Sequence, residues 1–179
     1  MSIDHKAFIF DSSSFYQELR PIIESALISG SASEIRSFIL SNVPFLVDPY
    51  EGEPLSEDWE DMIETPDVHQ YGDFALTKYY SPTLDKGVGG DWEELQELFR
   101  QQLNDTSLIL GKPLGTGENY FDPGKMGSYF QTHEDVCNNL HALQLISNDI
   151  PDRLTRCFEA FKEILNEAAA ENKGLYVTF

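Results

Sequence analysis

Three side chains that can bind a metal follow one another at helical spacing: His133, Cys137 and His141. Imidazole and thiolate are ligands that zinc and copper accept. Positions eight residues apart on a straight helix, however, lie ~12 Å apart along its axis, so the three side chains cannot easily meet at one ion. Cys137 also falls beside Val136 and Leu140, where a core cysteine belongs. The pattern favours a structural role, and we predict no metal and no cofactor.

Two glycine-rich segments resemble phosphate-binding loops only superficially. Residues 111–117 lack the GxxxxGK[ST] pattern, and no predicted helix follows them directly. Residues 87–90 do precede a predicted helix, but Asp91, Glu93 and Glu94 occupy its first turn, where they would repel a phosphate. No nucleophile motif surrounds either cysteine. The sequence therefore predicts no catalytic residue and argues against an enzyme.

Polar and aromatic side chains are nevertheless frequent in the long glycine-rich segment 111–133. Convergent groups of this kind line ligand pockets, so one hypothesis is a small-molecule binder or enzyme with its pocket here. The residues of that pocket would be Lys112, Tyr120, Lys125, Tyr129 and His133. Aromatic side chains around such a loop also serve to pack it onto the core, which is the other interpretation.

Charge is the strongest feature of the composition. The 179 residues include 31 acidic and 12 basic side chains, a formal net charge of −19. Such a chain repels nucleic acid and anionic membranes, which are both recognised through basic residues. A basic protein partner is compatible with it, because the field of the protein steers the approach of opposite charge. Solubility alone is the competing explanation of the charge.

The acidic residues are concentrated in one stretch, residues 48–67, which we call the acidic segment. It holds nine carboxylates and no basic residue. Trp59, Met62 and Ile63 predict one short amphipathic helix after Ser56, with its apolar side packed down and its carboxylates outward. The main functional hypothesis is a non-enzymatic interaction module, immunity-like or regulatory, that docks a basic protein through this segment. The predicted contact residues are Glu57, Asp58, Glu60, Asp61 and Glu64.

The elements that would position these residues follow from hydrophobic periodicity. Helices are predicted around residues 15–29, 33–43, 91–103, 132–146 and 151–170, and strands at 7–10, 74–80, 108–110, 129–130 and 175–179. Thr132 and Asp135 have the spacing of a capping box, and Pro151 suits a first helical turn. We predict an α+β fold in a single domain, residues 1–179, with a small mixed sheet that includes the C-terminal strand. Several amphipathic helices, the last two above all, would cover that sheet.

The cysteines, the N-terminus and the apolar runs of the chain indicate its cellular compartment. Two cysteines in a chain of this length do not make a secreted disulfide framework. The N-terminus lacks the pattern of a signal peptide, and no apolar run reaches the ~20 residues that span a bilayer. We expect a cytoplasmic protein without a membrane segment.

Four segments carry a resemblance to a known family. They are residues 84–86 (LDK), 110–115 (LGKPLG), 129–136 (YFQTHEDV) and 168–177 (AAAENKGLYV). Over residues 74–179 the chain resembles the YfbM-like family of bacterial proteins of unknown function. The resemblance implies an α+β single-domain fold and no established activity. Residues 1–43 would then be a helical N-terminal part, 44–72 an acidic loop region and 73–179 the YfbM-like part. Glu93 stands after Trp92 where that family commonly has a histidine.

Overall fold

The structure, a computed structural model, describes residues 3–105, 107–146 and 150–179. Its chain divides into two compact units. The first unit consists of Met1–Ser12, Asp85–Lys112 and Tyr129–Phe179, and the second unit of Ser13–Leu84 and Pro113–Ser128. Every residue of the second unit falls within the described ranges.

Along the described residues, helices and short strands follow one another in groups rather than in alternation. The α-helices are α1 (Ser12–Glu18), α2 (Arg20–Ser29), α3 (Ser33–Asn42), α4 (Val68–Leu76), α5 (Trp92–Leu103), α6 (His133–Leu143) and α7 (Asp152–Ala170). Within the described part of the chain, 3-10 helices span Val43–Phe45 and Trp59–Met62. The strands are β1 (Lys6–Phe10), β2 (Lys112–Pro113), β3 (Gly115–Thr116), β4 (Asn119–Tyr120), β5 (Tyr129–Gln131) and β6 (Gly174–Thr178). The predicted α+β fold is confirmed.

The larger sheet has the strand order β1-β6-β5-β2, so the C-terminal strand β6 lies inside it. Ala7 of β1 lies opposite Val177, and Phe130 of β5 lies opposite Tyr176. Both of these pairings are antiparallel, whereas the sequence analysis predicted a mixed sheet. All five residues of β6 are buried.

One face of the sheet supports the core of the first unit. Because side chains alternate along a strand, Ala7, Leu175 and Val177 point to the same face. They belong to an apolar cluster built with residues of α5, α6 and α7. Phe99 and Phe161, at a ring-centroid distance of 5.8 Å, lie within that cluster. The expectation that the last two helices cover the sheet therefore holds for this face.

The opposite face of the sheet carries large aromatic rings. Phe130 and Tyr176 stack with their centroids 5.2 Å apart, and Phe10 lies 5.6 Å from Phe130. All three side chains are buried. Stacked and tilted arrangements of this kind add to the apolar burial that each ring contributes.

The second unit contains most of α1, all of α2, α3 and α4, and the β3–β4 hairpin. Pro21 lies in the first turn of α2, and α1 has already ended at Glu18, so proline begins a helix here rather than kinking one. Gly30 ends α2 at a positive φ of 72°, and its N–H donates to the carbonyl of Ala26. Gly115 of the hairpin has a φ of 116°, and a Cβ there would lie 2.1 Å from the carbonyl oxygen of Asn119.

Two predicted strands are wrong. Residues 74–80, predicted as a strand because they are aromatic, form the end of α4 and a following turn. The helix begins at an N-cap, Asp67, whose carboxylate accepts a 2.8 Å hydrogen bond from the N–H of Gln70. Residues 108–110, also predicted as a strand, form a turn that places Leu108 and Ile109 in the core of the first unit.

Candidate functional site

The acidic segment is part of the second unit and is held there by backbone hydrogen bonds and by the packing of Trp59. The N–H of Asp48 donates to the carbonyl of Glu53 (2.8 Å), and Gly52 closes the intervening turn at a φ of 74°. Further on, the predicted short helix is present as the 3-10 helix Trp59–Met62. Of the apolar residues predicted to pack down, Trp59 is buried, whereas Met62 is exposed. Trp59 is buried and packs against Tyr71 and Phe74 of α4, with centroid distances of 6.0 and 5.9 Å. Trp59 thus anchors the 3-10 helix, which carries Glu60 and Asp61, to α4.

Four of the five predicted contact residues are exposed. Glu57, Asp58, Asp61 and Glu64 point into solvent, and within the described part of the chain none of them forms an ion pair. Carboxylates so close together repel one another, and solvent or a basic partner relieves that repulsion. They form a cluster of negative charge on both sides of the buried Trp59.

Glu60, the fifth predicted contact residue, has a different environment. The Arg36 guanidinium of α3 donates two hydrogen bonds to its carboxylate, one of them 2.8 Å long from Nη2 to Oε2. The Tyr71 hydroxyl donates a third, at 3.3 Å. The bond from Arg36 is the main reason why the pKa of Glu60 lies below its ordinary value. The charge of Glu60 is therefore already compensated inside the protein.

Charge compensation in the second unit is complete for its cations and far from complete for its anions. The unit holds fifteen acidic residues and four basic ones. Each basic residue is in an ion pair with a carboxylate of the same unit: Arg20 with Glu24, Arg36 with Glu60, Lys78 with Glu18, and Lys125 with Asp73. Eleven acidic residues have no cation left within their own unit.

Exposed apolar side chains accompany the exposed carboxylates. Tyr50 and Met62 lie within the acidic segment and are 62% and 41% exposed, and Phe45 just before it is 69% exposed. Protein interfaces combine such apolar anchors with a charged rim. The segment therefore offers both kinds of group that a protein partner would contact.

Asp73 and Lys125 form a buried ion pair that the sequence analysis did not predict. Lys125 Nζ lies 2.8 Å from Asp73 Oδ1, and the carboxylate is almost fully buried. The second oxygen, Oδ2, receives no hydrogen bond from any described residue. Burial raises the pKa of Asp73 above its ordinary value, and the Lys125 ammonium opposes that rise. Lys125 Nζ also lies 5.6 Å from the ring centroid of Tyr50.

The one sequence signal for this pair was the acidic residue inside an apolar run. Asp73 stands between Tyr71-Gly72 and Phe74-Ala75-Leu76, in a helix that buries seven of its nine residues. A charged residue in such a run is rarely buried without a partner. The partner, 52 residues away in the chain, could not be identified from spacing.

The five residues of the predicted pocket belong to both units. Tyr120 and Lys125 belong to the second unit, where Tyr120 is exposed on the hairpin and Lys125 binds Asp73. The other three, Lys112, Tyr129 and His133, belong to the first unit. Within the first unit each of these three contacts a different residue.

Lys112 is 72% exposed at its side chain and lies 3.5 Å from the carboxylate of Asp135. The Tyr129 ring packs edge-on against Phe179. His133 Nε2 lies 3.6 Å from the sulfur of Cys137. Among the described residues of the first unit, no hydrogen bond, ion pair or ring contact joins Lys112, Tyr129 and His133 to one another.

Across residues 3–105, 107–146 and 150–179, no group of three His, Cys, Asp or Glu side chains is arranged to hold a metal ion. Among the described helices, none combines the length and the apolar character that crossing a bilayer requires.

Comparison with known proteins adds no relative: no family model, no curated protein and no solved structure matches the chain. The resemblance to the YfbM-like family stays a prediction.

Proposed function

We propose that this protein is a non-enzymatic interaction module whose acidic segment docks a basic protein, in the manner of an immunity or regulatory protein. One observation carries the proposal. All four cations of the second unit are bound to carboxylates of that unit, while Glu57, Asp58, Asp61 and Glu64 are exposed without an ion pair to a described residue. Positive charge for these carboxylates has to come from elsewhere.

The expected mode of binding follows from the exposure of these carboxylates. Exposed charges contribute more to the rate and specificity of association than to affinity, and salt screens them over about 8 Å at physiological ionic strength. Tyr50 and Met62 would supply the apolar contacts that salt does not weaken. A partner with lysine or arginine side chains around an apolar patch matches both features.

The proposal includes a cytoplasmic location for the protein. Cys137 and Cys157 are free thiols, which suits a reducing compartment and supports a cytoplasmic location.

The alternative function, a ligand pocket at residues 111–133, has weaker support, because Lys125 is already bound to Asp73 and Tyr120 is exposed on a hairpin.

A pair of charge-matched variants tests the proposal. The first variant neutralises the exposed carboxylates of the acidic segment: Glu57→Gln, Asp58→Asn, Asp61→Asn and Glu64→Gln. The control neutralises four exposed carboxylates of the first unit: Glu93→Gln, Glu134→Gln, Glu159→Gln and Glu163→Gln. The probe is a fluorescein-labelled peptide of lysine and leucine, titrated at several salt concentrations. Both variants have the same net charge, so a difference between them reports position alone.

We expect the first variant to bind on the order of tenfold more weakly than the wild type, since exposed ion pairs contribute about 0.2–1 kcal/mol each. The control should change affinity by less than about twofold. Equal weakening of both variants would mean that the peptide senses only the net charge, and the charge would then serve solubility.

A further inference from the structure

The thiol of Cys137 has a histidine as its neighbour one helical turn earlier. The capping box of Thr132 and Asp135 fixes the start of α6. The sulfur of Cys137 lies 3.6 Å from His133 Nε2, and the cysteine is only partly buried. A cysteine beside an imidazole and within reach of solvent has the environment of a reactive thiol.

The orientation of His133 suits stabilisation of a thiolate. No described residue gives its buried Nδ1 a hydrogen-bond partner. The other ring nitrogen, Nε2, faces the sulfur of Cys137. In the neutral tautomer that carries its proton on Nε2, His133 can donate a hydrogen bond to that sulfur.

A cavity opens next to this thiol. Its volume is about 300 Å³, and Cys137, Leu140, His141, Lys162 and Asn166 are among the residues that line it. A volume of this size suits part of a small molecule. The cavity lies within the first unit, formed by residues of α6 and α7 together with Gln144. Cys137 therefore lines a concave site rather than a flat surface.

The chemistry of the cavity wall favours an anionic molecule. Lys162 and Asn166, one turn apart on α7, supply an ammonium group and an amide. Lys162 makes no ion pair with any described residue, although the chain has a large excess of carboxylates. An ammonium group beside an amide suits a carboxylate, and Leu140 supplies apolar surface.

Cys157, the second cysteine, provides an internal comparison. It is buried in the core of the first unit, among residues such as Phe158 and Phe161. Burial raises the pKa of Cys157 to about 11. A buried thiol of this kind is inert at neutral pH. The two cysteines of the chain thus have opposite surroundings.

We propose that Cys137 is a site of thiol–disulfide exchange with a small disulfide that carries carboxylate groups. This site is independent of the docking surface proposed above. The Cys137 thiol loses its proton to water, and the thiolate accepts a hydrogen bond from His133 Nε2. The thiolate attacks one sulfur of the disulfide, a new S–S bond forms to Cys137, and the old S–S bond breaks. The released thiolate takes a proton from water, so no further oxidant or reductant is needed.

The test is the rate of modification of the folded, full-length protein by oxidised glutathione, followed by intact-mass spectrometry and peptide mapping. We expect one adduct, on Cys137, in the wild type and in Cys157→Ser. Cys137→Ser should give none. The Cys157→Ser variant keeps the proposal testable if Cys137→Ser does not fold. Labelling of Cys157 at a rate equal to that of Cys137 would overturn the proposal.

Lys162→Met separates recognition in the cavity from general thiol reactivity. With oxidised glutathione the variant should react about tenfold more slowly, the loss expected for one charge-assisted contact. With the uncharged 2-hydroxyethyl disulfide its rate should equal that of the wild type. Equal slowing with both disulfides would show that Lys162 does not recognise a carboxylate, and the assignment of the substrate class would be wrong. His133→Asn should slow both reactions, because the thiolate loses its hydrogen bond.

Discussion

The Arg36 guanidinium holds the Glu60 carboxylate through two hydrogen bonds, and this contact separates Glu60 from the other acidic residues around it. Glu60 lies in the same 3-10 helix as Asp61, yet only Glu60 has a cation of its own. The acidic segment therefore contains one carboxylate that connects it to α3 and several that remain exposed. A partner would meet the exposed ones.

This difference predicts unequal effects of single substitutions on docking. Glu60→Gln should weaken binding of the lysine–leucine peptide less than Asp61→Asn, because the Glu60 charge is already balanced by Arg36. Arg36→Gln should strengthen binding, since it exposes the charge of Glu60. Fluorescence anisotropy at low salt measures all three. An Arg36→Gln protein that binds more weakly than the wild type would contradict this assignment of roles, provided that its far-UV spectrum is unchanged.

The buried pair of Asp73 and Lys125 predicts a strongly non-additive stability cycle. Lys125→Met leaves a buried carboxylate without its cation, which costs about 3–5 kcal/mol. Asp73→Asn combined with Lys125→Met removes both charges and should recover much of that loss. Urea denaturation at pH 7 measures the cycle. If the double variant is as unstable as the sum of the two single variants, the side chains do not act as a pair.

The pH dependence of Lys125→Met follows from the raised pKa of Asp73. A carboxyl group with a raised pKa in the folded protein binds its proton more tightly there than in the unfolded chain. Its contribution to stability is present at low pH and is lost as the pH rises through the folded pKa. Without Lys125 the rise in pKa is unopposed, so this variant should lose stability more steeply than the wild type as the pH rises above the ordinary aspartate pKa, which urea denaturation at a series of pH values measures.

His5 predicts that stability falls as the pH decreases, which is the opposite of the trend expected from Asp73. It is almost completely buried, its Nδ1 accepts a 3.2 Å hydrogen bond from the N–H of Val88, and burial lowers its pKa to about 4. The unfolded chain, with an ordinary histidine pKa of 6.5, binds the proton first. The stability that His5 contributes is complete above pH 6.5 and falls by about 3 kcal/mol as the pH approaches 4.

A comparison of the wild type with His5→Gln isolates this effect. The unfolding free energy of both proteins is measured by urea denaturation from pH 7.5 to 4, and the difference between them is plotted against pH. The glutamine variant should lack the decline assigned to His5, because its side chain does not titrate. Parallel curves across the whole range would show that His5 does not titrate differently in the folded and unfolded states.

The capping box at the start of α6 predicts a smaller, local effect. Asp135 N–H donates to the Thr132 hydroxyl oxygen (3.1 Å), and Thr132 N–H donates to the Asp135 carboxylate (2.9 Å). Thr132→Ala should lower the unfolding free energy by about 1 kcal/mol. Thr132→Ser keeps the hydroxyl and should be close to the wild type. An alanine variant as stable as the serine variant would mean that this cap adds nothing.

Elements with both a periodic pattern and an end signal were predicted well. The helix α6 has its capping box, α7 follows Pro151, and the C-terminal strand is confirmed as the interior strand β6. In these cases local hydrogen bonding, local propensity and burial favour the same element. The sequence alone was sufficient for the α+β class.

The wrong and missing predictions concern residues whose burial and contacts cannot be inferred from the local sequence. Residues 74–80 are aromatic because α4 is buried on nearly all sides, and that removes the alternation which distinguishes helix from strand. The N-cap Asp67 was the signal that could have corrected the prediction. The contacts of Asp73 with Lys125 and of Glu60 with Arg36 join residues 52 and 24 positions apart, which no spacing rule reaches.

Locating the bound peptide by NMR tests most directly whether the acidic segment is the docking surface. Amide shifts of ¹⁵N-labelled protein are followed while the lysine–leucine peptide is added at low salt. We expect the largest shifts in residues 48–67, around Trp59, and we expect them to disappear in the variant with four neutralised carboxylates. Shifts of equal size throughout the first unit, or shifts that persist in that variant, would contradict a docking surface at the acidic segment.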